Sequence, residues 1–157
     1  MLLLAGLVAC TPAPPERLAL RRNGSAVQLV VLLCGMERIL GMSISEVDGP
    51  NSWSVEPPDD GYRTTARASG EFEVRDAFET PQGWTAASTS LTAIADDTRY
   101  SAMTGVVSWK LRMRFDGRQV SQLKDGEVLT GSGDDTTVMS EADFREKVLA
   151  DAEKDGC

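Results

Sequence analysis

The run Val107-Ser108-Trp109-Lys110-Leu111-Arg112-Met113-Arg114-Phe115 decides the fold class. Apolar residues hold every odd position across these nine residues, and polar or basic residues hold every even one. A period of two places one side of an extended chain on a core and the other in water, as in a half-buried antiparallel strand. Asp116-Gly117 then turns the chain.

Working outward, the same pattern recurs in shorter pieces. Arg17–Arg22 and Ser25–Cys34 flank Asn23-Gly24, which predicts a hairpin with a type I′ turn. Val27, Leu29, Val31 and Leu33 form one face of its second strand, with Val30 and Leu32 on the other. A strand apolar on both faces belongs inside a sheet. Leu40, Met42 and Ile44 alternate in the next strand, which ends at Val47-Asp48-Gly49-Pro50. A short strand around Trp53 and Val55 stops at Pro57-Pro58, and residues 57–70 read as loop. Phe72 and Val74 mark a further strand, and Thr80-Pro81-Gln82-Gly83 a turn before Trp84. Val128 and Leu129 sit in what reads as the last strand, followed by a loop over 131–135. The pattern then changes: Ser140-Glu141-Ala142-Asp143 resembles a capping box, and Phe144, Val148 and Ala152 recur every fourth residue. This predicts one amphipathic helix over about 140–154. Many short strands and one late helix give a mostly β chain, an antiparallel β-sandwich with a C-terminal amphipathic helix.

Leu91-Thr-Ala-Ile-Ala-Asp-Asp-Thr-Arg-Tyr100 refines this. It resembles the corner between strands E and F of fibronectin type III domains, which run Leu-x-x-Leu-x-Pro-Gly-Thr-x-Tyr. Ile94 and Asp96-Asp97 depart from that pattern. The resemblance implies an Ig-like sandwich in which the Tyr100 hydroxyl bonds back to the upstream backbone as a tyrosine corner.

The N-terminus carries a different message. Met1–Ala9 has the length of a signal-peptide apolar region, lacks a basic start, and is too short to span a bilayer. Leu7-Val8-Ala9-Cys10 resembles the bacterial lipobox. That resemblance implies a lipoprotein signal peptide over 1–9, palmitate-type acylation of Cys10, and lipid anchorage to the outer face of the bacterial cytoplasmic membrane. The proline-rich stretch over 10–16 then reads as a stiff tether, and residues 17–157 as a single domain. The plan is similar to that of lipoproteins of high-GC Gram-positive bacteria. A hydrophobic N-terminus with a chance cysteine, or a secretory signal without lipid, fits the same residues. With Cys10 acylated, Cys34 and Cys157 remain, and an oxidising compartment favours a disulfide between them. Such a bridge closes a long loop and is worth roughly 4–5 kcal/mol in the chain-entropy model. A buried Cys34 and an unbridged Cys157 is the other reading.

Chemistry is sparse. The chain has no histidine, which excludes Ser-His-Asp and Cys-His catalysis and His-bearing zinc sites within it. A net charge of −8 disfavours nucleic acid as a partner. Glu46/Asp48, Asp59-Asp60, Asp96-Asp97 and Asp134-Asp135 are acidic pairs, and none has the spacing of a calcium loop. They read as solvated turns, so no catalytic residue, metal ligand or cofactor is assigned. Trp109 falls in the apolar series and reads as core. Trp84, beside a turn, is the candidate for an exposed ligand contact. The expected function is a non-catalytic binding or accessory module of the envelope. Its membrane contact is the lipid anchor, and its partner is an envelope protein or a glycan. The alternatives are a carrier with an apolar pocket between sheet and helix, and a hydrolase using paired carboxylates.

Overall fold

The computed structural model describes residues 16–35, 37–58, 71–107 and 109–154. Among these residues, ten strands and two helices follow in chain order: β1 (Leu18–Asn23), β2 (Ala26–Leu33), β3 (Ile39–Glu46), β4 (Ser52–Glu56), β5 (Glu71–Asp76), β6 (Thr85–Thr89), β7 (Arg99–Val106), β8 (Lys110–Asp116), α1 (Gly117–Ser121), β9 (Glu127–Ser132), β10 (Asp135–Ser140) and α2 (Glu141–Lys154). They form two antiparallel five-stranded sheets, β10-β9-β1-β2-β5 and β6-β4-β3-β7-β8. The neighbours β2–β5 and β3–β7–β8 follow the B–E and C–F–G pairings of immunoglobulin-type sandwiches, with β4 beside β3 as a C′ strand. Among the described residues no helix is long and apolar enough to cross a membrane.

The apolar pattern of β2 explains the layering. Leu29, Val31 and Leu33 face the second sheet, where they meet Met42, Ile44, Trp53, Val55, Tyr100 and Met113 in the main core. Val30 and Leu32 face the other way and pack with Ala19, Val128, Phe144, Val148 and Ala152. The second cluster is the seam between the first sheet and α2, so the molecule has three layers. Ser140 Oγ accepts from the Asp143 amide at 3.0 Å and caps α2. The Tyr100 hydroxyl accepts from the Ala95 amide at 2.9 Å, which makes the tyrosine corner real.

Several expectations are corrected. The β1–β2 turn is Gly24-Ser25, not Asn23-Gly24, since Asn23 pairs with Ala26. Gly24 has φ +61° and Ser25 does not share a positive φ, so glycine sits at the first central position, as in a type II′ turn. Leu40 is 45% exposed because the register shifts between Ile39 and Gly41. The bulge hands the buried position to Ile39 and turns Leu40 out. β8 begins at Lys110. Paired hydrogen bonds between Val106 and Trp109 close the β7–β8 hairpin, which leaves Val107 56% exposed at its turn. Leu111, Met113 and Phe115 keep the buried face assigned to them. Asp116-Gly117 opens the short helix α1 rather than a simple turn. β9 is not the last strand, because β10 pairs with it from Asp135 to Ser140. The Gly133 backbone of that hairpin bonds to Arg112 and Arg114 of β8, covering part of an exposed sheet edge.

Candidate functional site

The outer face of the β6-β4-β3-β7-β8 sheet carries a groove of about 520 Å³. Its floor is built from small residues that pair across adjacent strands, Gly41 opposite Gly105 and Ser43 opposite Ser54, with Met103 rising on the other side of Ser43. A Cβ on Gly105 would lie 3.6 Å from Leu40 Cβ, and one on Gly41 would lie 3.4 Å from the Val55 carbonyl oxygen. Glycine at both positions keeps the floor low between taller walls.

Those walls are unlike the floor. Leu40, Val107 and Trp109 gather at the end where β3 starts and the β7–β8 hairpin turns. Lys110 lines one side from β8 and Glu56 the other from β4, both exposed. Arg112, next along the outer face of β8, is also exposed. The bulge and the hairpin turn therefore act together, since each lifts an apolar side chain out of the core onto one lip. The opposite end of the same sheet carries several carboxylates, with Arg99 at the start of β7 paired to Asp116 and Asp134 among them. Glu46, Asp48, Asp96, Asp97 and Asp116 collect where β3 and β8 end and β7 begins.

The residues singled out from sequence are distributed as follows. Trp84 is 8% exposed and belongs to the main core, so it offers no aromatic face to a ligand. The turn before it, closed by the Trp84 amide on the Pro81 carbonyl at 3.0 Å, aims the indole inward. Trp53 is 1% exposed, and Trp109, half-buried, is the tryptophan that reaches the groove. Cys34 is half-buried at the end of β2, where Arg17 Nη1 donates to its Sγ at 2.8 Å. Its amide donates to Glu37 Oε2 at 2.9 Å, and Arg17 also pairs with that carboxylate at 2.7 Å. Cys10, Cys157 and the Asp59-Asp60 pair lie outside the described residues.

The remaining acidic pairs sit in separate turns. Glu46 accepts from Asn51, Asp97 from Thr98, and Asp134 pairs with Arg99 and Arg114. Among the described residues, no three metal-ligating side chains gather. The side chains of the second cluster pack between the first sheet and α2. Glu141, at the start of α2, has a lowered pKa. Burial pushes Glu141 up, but hydrogen bonds and charge from Arg145 and Arg21 outweigh it, and the group sits below the usual carboxylate range.

No family model matches the chain, and neither a curated protein nor a solved structure matches it. The groove was not legible in the sequence, because its floor is glycine and serine. The only signal was the alternation of small residues at Gly41, Ser43 and Ser45, set against Ser52 and Ser54.

Proposed function

We propose that this protein is an exported lipoprotein, anchored through acylated Cys10, whose sandwich serves as a non-catalytic binding or accessory module. The observation that carries the binding reading is the groove. Leu40 and Val107 leave the core and, with Trp109 at its edge and Lys110, line one surface depression. Exposed apolar side chains gathered around a concave floor mark contact surfaces, whereas isolated ones do not. The anchor reading rests on Leu7-Val8-Ala9-Cys10 and on the proline-rich tether that follows. A Cys34–Cys157 disulfide goes with it, since export supplies the oxidising compartment.

Two measurements test the two halves. Intact mass of the protein from its native membranes should show a chain starting at Cys10 with a lipid adduct. Cys34 and Cys157 should take up alkylating reagent only after reduction. An unprocessed chain with three reactive thiols removes the anchor and the bridge together. For the binding face, a photo-crosslinking amino acid replaces Met103 in the groove or Glu153 on α2. Adducts in the native envelope form at the Met103 position and not at the Glu153 position. Equal yields at both overturn the groove as the contact surface.

A further inference from the structure

We infer that the apolar lip of the groove rests on an anionic lipid surface, so that the sandwich lies on the membrane with its acidic end pointing away. This deepens the lipoprotein reading and rests on it.

Three observations converge. The first is where the tether meets the body. Arg17, the residue after the tether, is joined by a 2.7 Å ion pair to Glu37 in the β2–β3 connection. That connection leads directly into Ile39 and exposed Leu40. The lipid anchor and the apolar lip are therefore attached to the same end of the sandwich. Residues 11–16, with three prolines, reach about 20 Å when extended. Such a tether keeps the body close to the bilayer, where even a weak surface contact is populated.

The second is the chemistry of the lip. Leu40 and Val107 are 45% and 56% exposed, and Trp109 lies between core and groove. Apolar tips beside a tryptophan and a lysine suit the headgroup boundary, where apolar parts enter the acyl region and the ammonium stays among phosphates.

The third is charge. The chain carries −8 overall, yet β8 presents exposed Lys110 and Arg112 beside the lip. Among the described residues, Glu56 on the far wall is the one acidic side chain lining the groove. Glu46, Asp48, Asp96 and Asp97 lie at the other end of the sheet, where Asp116 is paired with Arg99. An anionic surface attracts the first group and repels the second, which orients the molecule lip-down.

The test uses the mature chain from position 10 with Cys10→Ser, which carries neither the apolar run Met1–Ala9 nor an acylation site, so that binding reports the protein surface alone. The probe is vesicles of phosphatidylcholine with phosphatidylglycerol at roughly 3:1, against phosphatidylcholine alone, in about 10 mM salt. Co-sedimentation should favour the anionic vesicles and fall as salt rises. Leu40→Ser with Val107→Ser should lower partitioning about tenfold or more. Lys110→Glu with Arg112→Glu should abolish the preference for anionic lipid. Val138→Ser with Leu149→Ser, at exposed apolar sites elsewhere (48% and 38%), should leave partitioning unchanged. An unchanged partition coefficient in the Leu40/Val107 variant overturns the inference, as does equal loss in the Val138/Leu149 variant. So does a concentration-dependent dimer that the Leu40/Val107 variant dissolves, which would assign the lip to a second copy. The anchor is judged separately, by the intact mass of the native protein. An acylated chain whose Cys10→Ser form ignores vesicles keeps the anchor and loses the lipid contact. An unacylated chain that binds vesicles does the reverse.

Discussion

At the scale of single residues, Tyr100 shows how one hydroxyl fixes a crossing between sheets. The ring is 1% exposed, stacks on Phe115 with centroids 5.6 Å apart, and accepts the Ala95 amide at 2.9 Å. That bond ties the segment between β6 and β7 to the start of β7. Gly117 packs under the same segment, and a Cβ there would overlap the Ala95 carbonyl oxygen. Tyr100→Phe keeps the ring and removes only the acceptor, so it should lower unfolding free energy by about 1 kcal/mol. Urea unfolding with an unchanged slope and a lower midpoint is the expected result, and an unchanged midpoint would show that the corner contributes nothing. Tyr100 was legible because Leu91, Ile94 and Tyr100 keep a known spacing. Trp84 was not, because a tryptophan beside a turn reads the same whether the backbone aims it inward or out.

At the scale of elements, α2 is held at its start by charge and along its length by packing. Glu141 takes both oxygens to Arg21 Nη1 of β1, at 2.8 and 2.9 Å, and a further pair of bonds from Arg145 one turn on. Arg145 in turn lies 4.4 Å over the Phe72 ring of β5. A carboxylate in the first turn also suits the helix dipole. The folded state holds the Glu141 pKa below its ordinary value. The stability it contributes is therefore complete above the ordinary glutamate value of about 4.3 and is lost as pH falls through the folded value. Glu141→Gln should lower the urea midpoint at pH 7, and the gap from the parent should narrow as pH drops below that value. A gap that stays constant down to acid pH would mean the ion pairs do not stabilise the docked helix. Legibility at this scale follows periodicity. β2, the buried face of β8, and α2 were readable because each repeats its period over several residues. β10 was missed because Thr136, Thr137, Val138 and Met139 do not alternate and follow a glycine-rich turn. The bulge that turns out Leu40 leaves no mark at all, since a register shift is set by the neighbouring strand and not by local composition. The groove depends on that bulge and on a hairpin turn, which explains why the fold could be read from sequence and the candidate site could not.

At the scale of the whole molecule, the first sheet is shared by two hydrophobic clusters, and this predicts how the protein unfolds. β2 sends Leu29, Val31 and Leu33 into one cluster and Val30 and Leu32 into the other. Phe144 is fully buried against the outer side of that sheet, edge-on to Phe72 at 5.9 Å. Trp53, Trp84 and Trp109 all lie in or against the inner cluster, on the far side of the sheet from α2. Tryptophan fluorescence therefore reports the sandwich interior, while far-ultraviolet circular dichroism is sensitive to α2. Phe144→Ala removes a buried aromatic ring and should cost about 3–5 kcal/mol, a large share of the roughly 5–15 kcal/mol typical of a domain. If the shared sheet couples the two clusters, both probes shift to the same lower denaturant midpoint, because loosening one face of β2 releases the other. If α2 is an independent flap, the dichroism signal falls early while the fluorescence midpoint stays at the parent value. The register of β2, paired on both edges by β1 and β5, favours the coupled outcome. A strand held on both sides cannot give up Val30 and Leu32 to water without also disturbing the residues between them that build the main core.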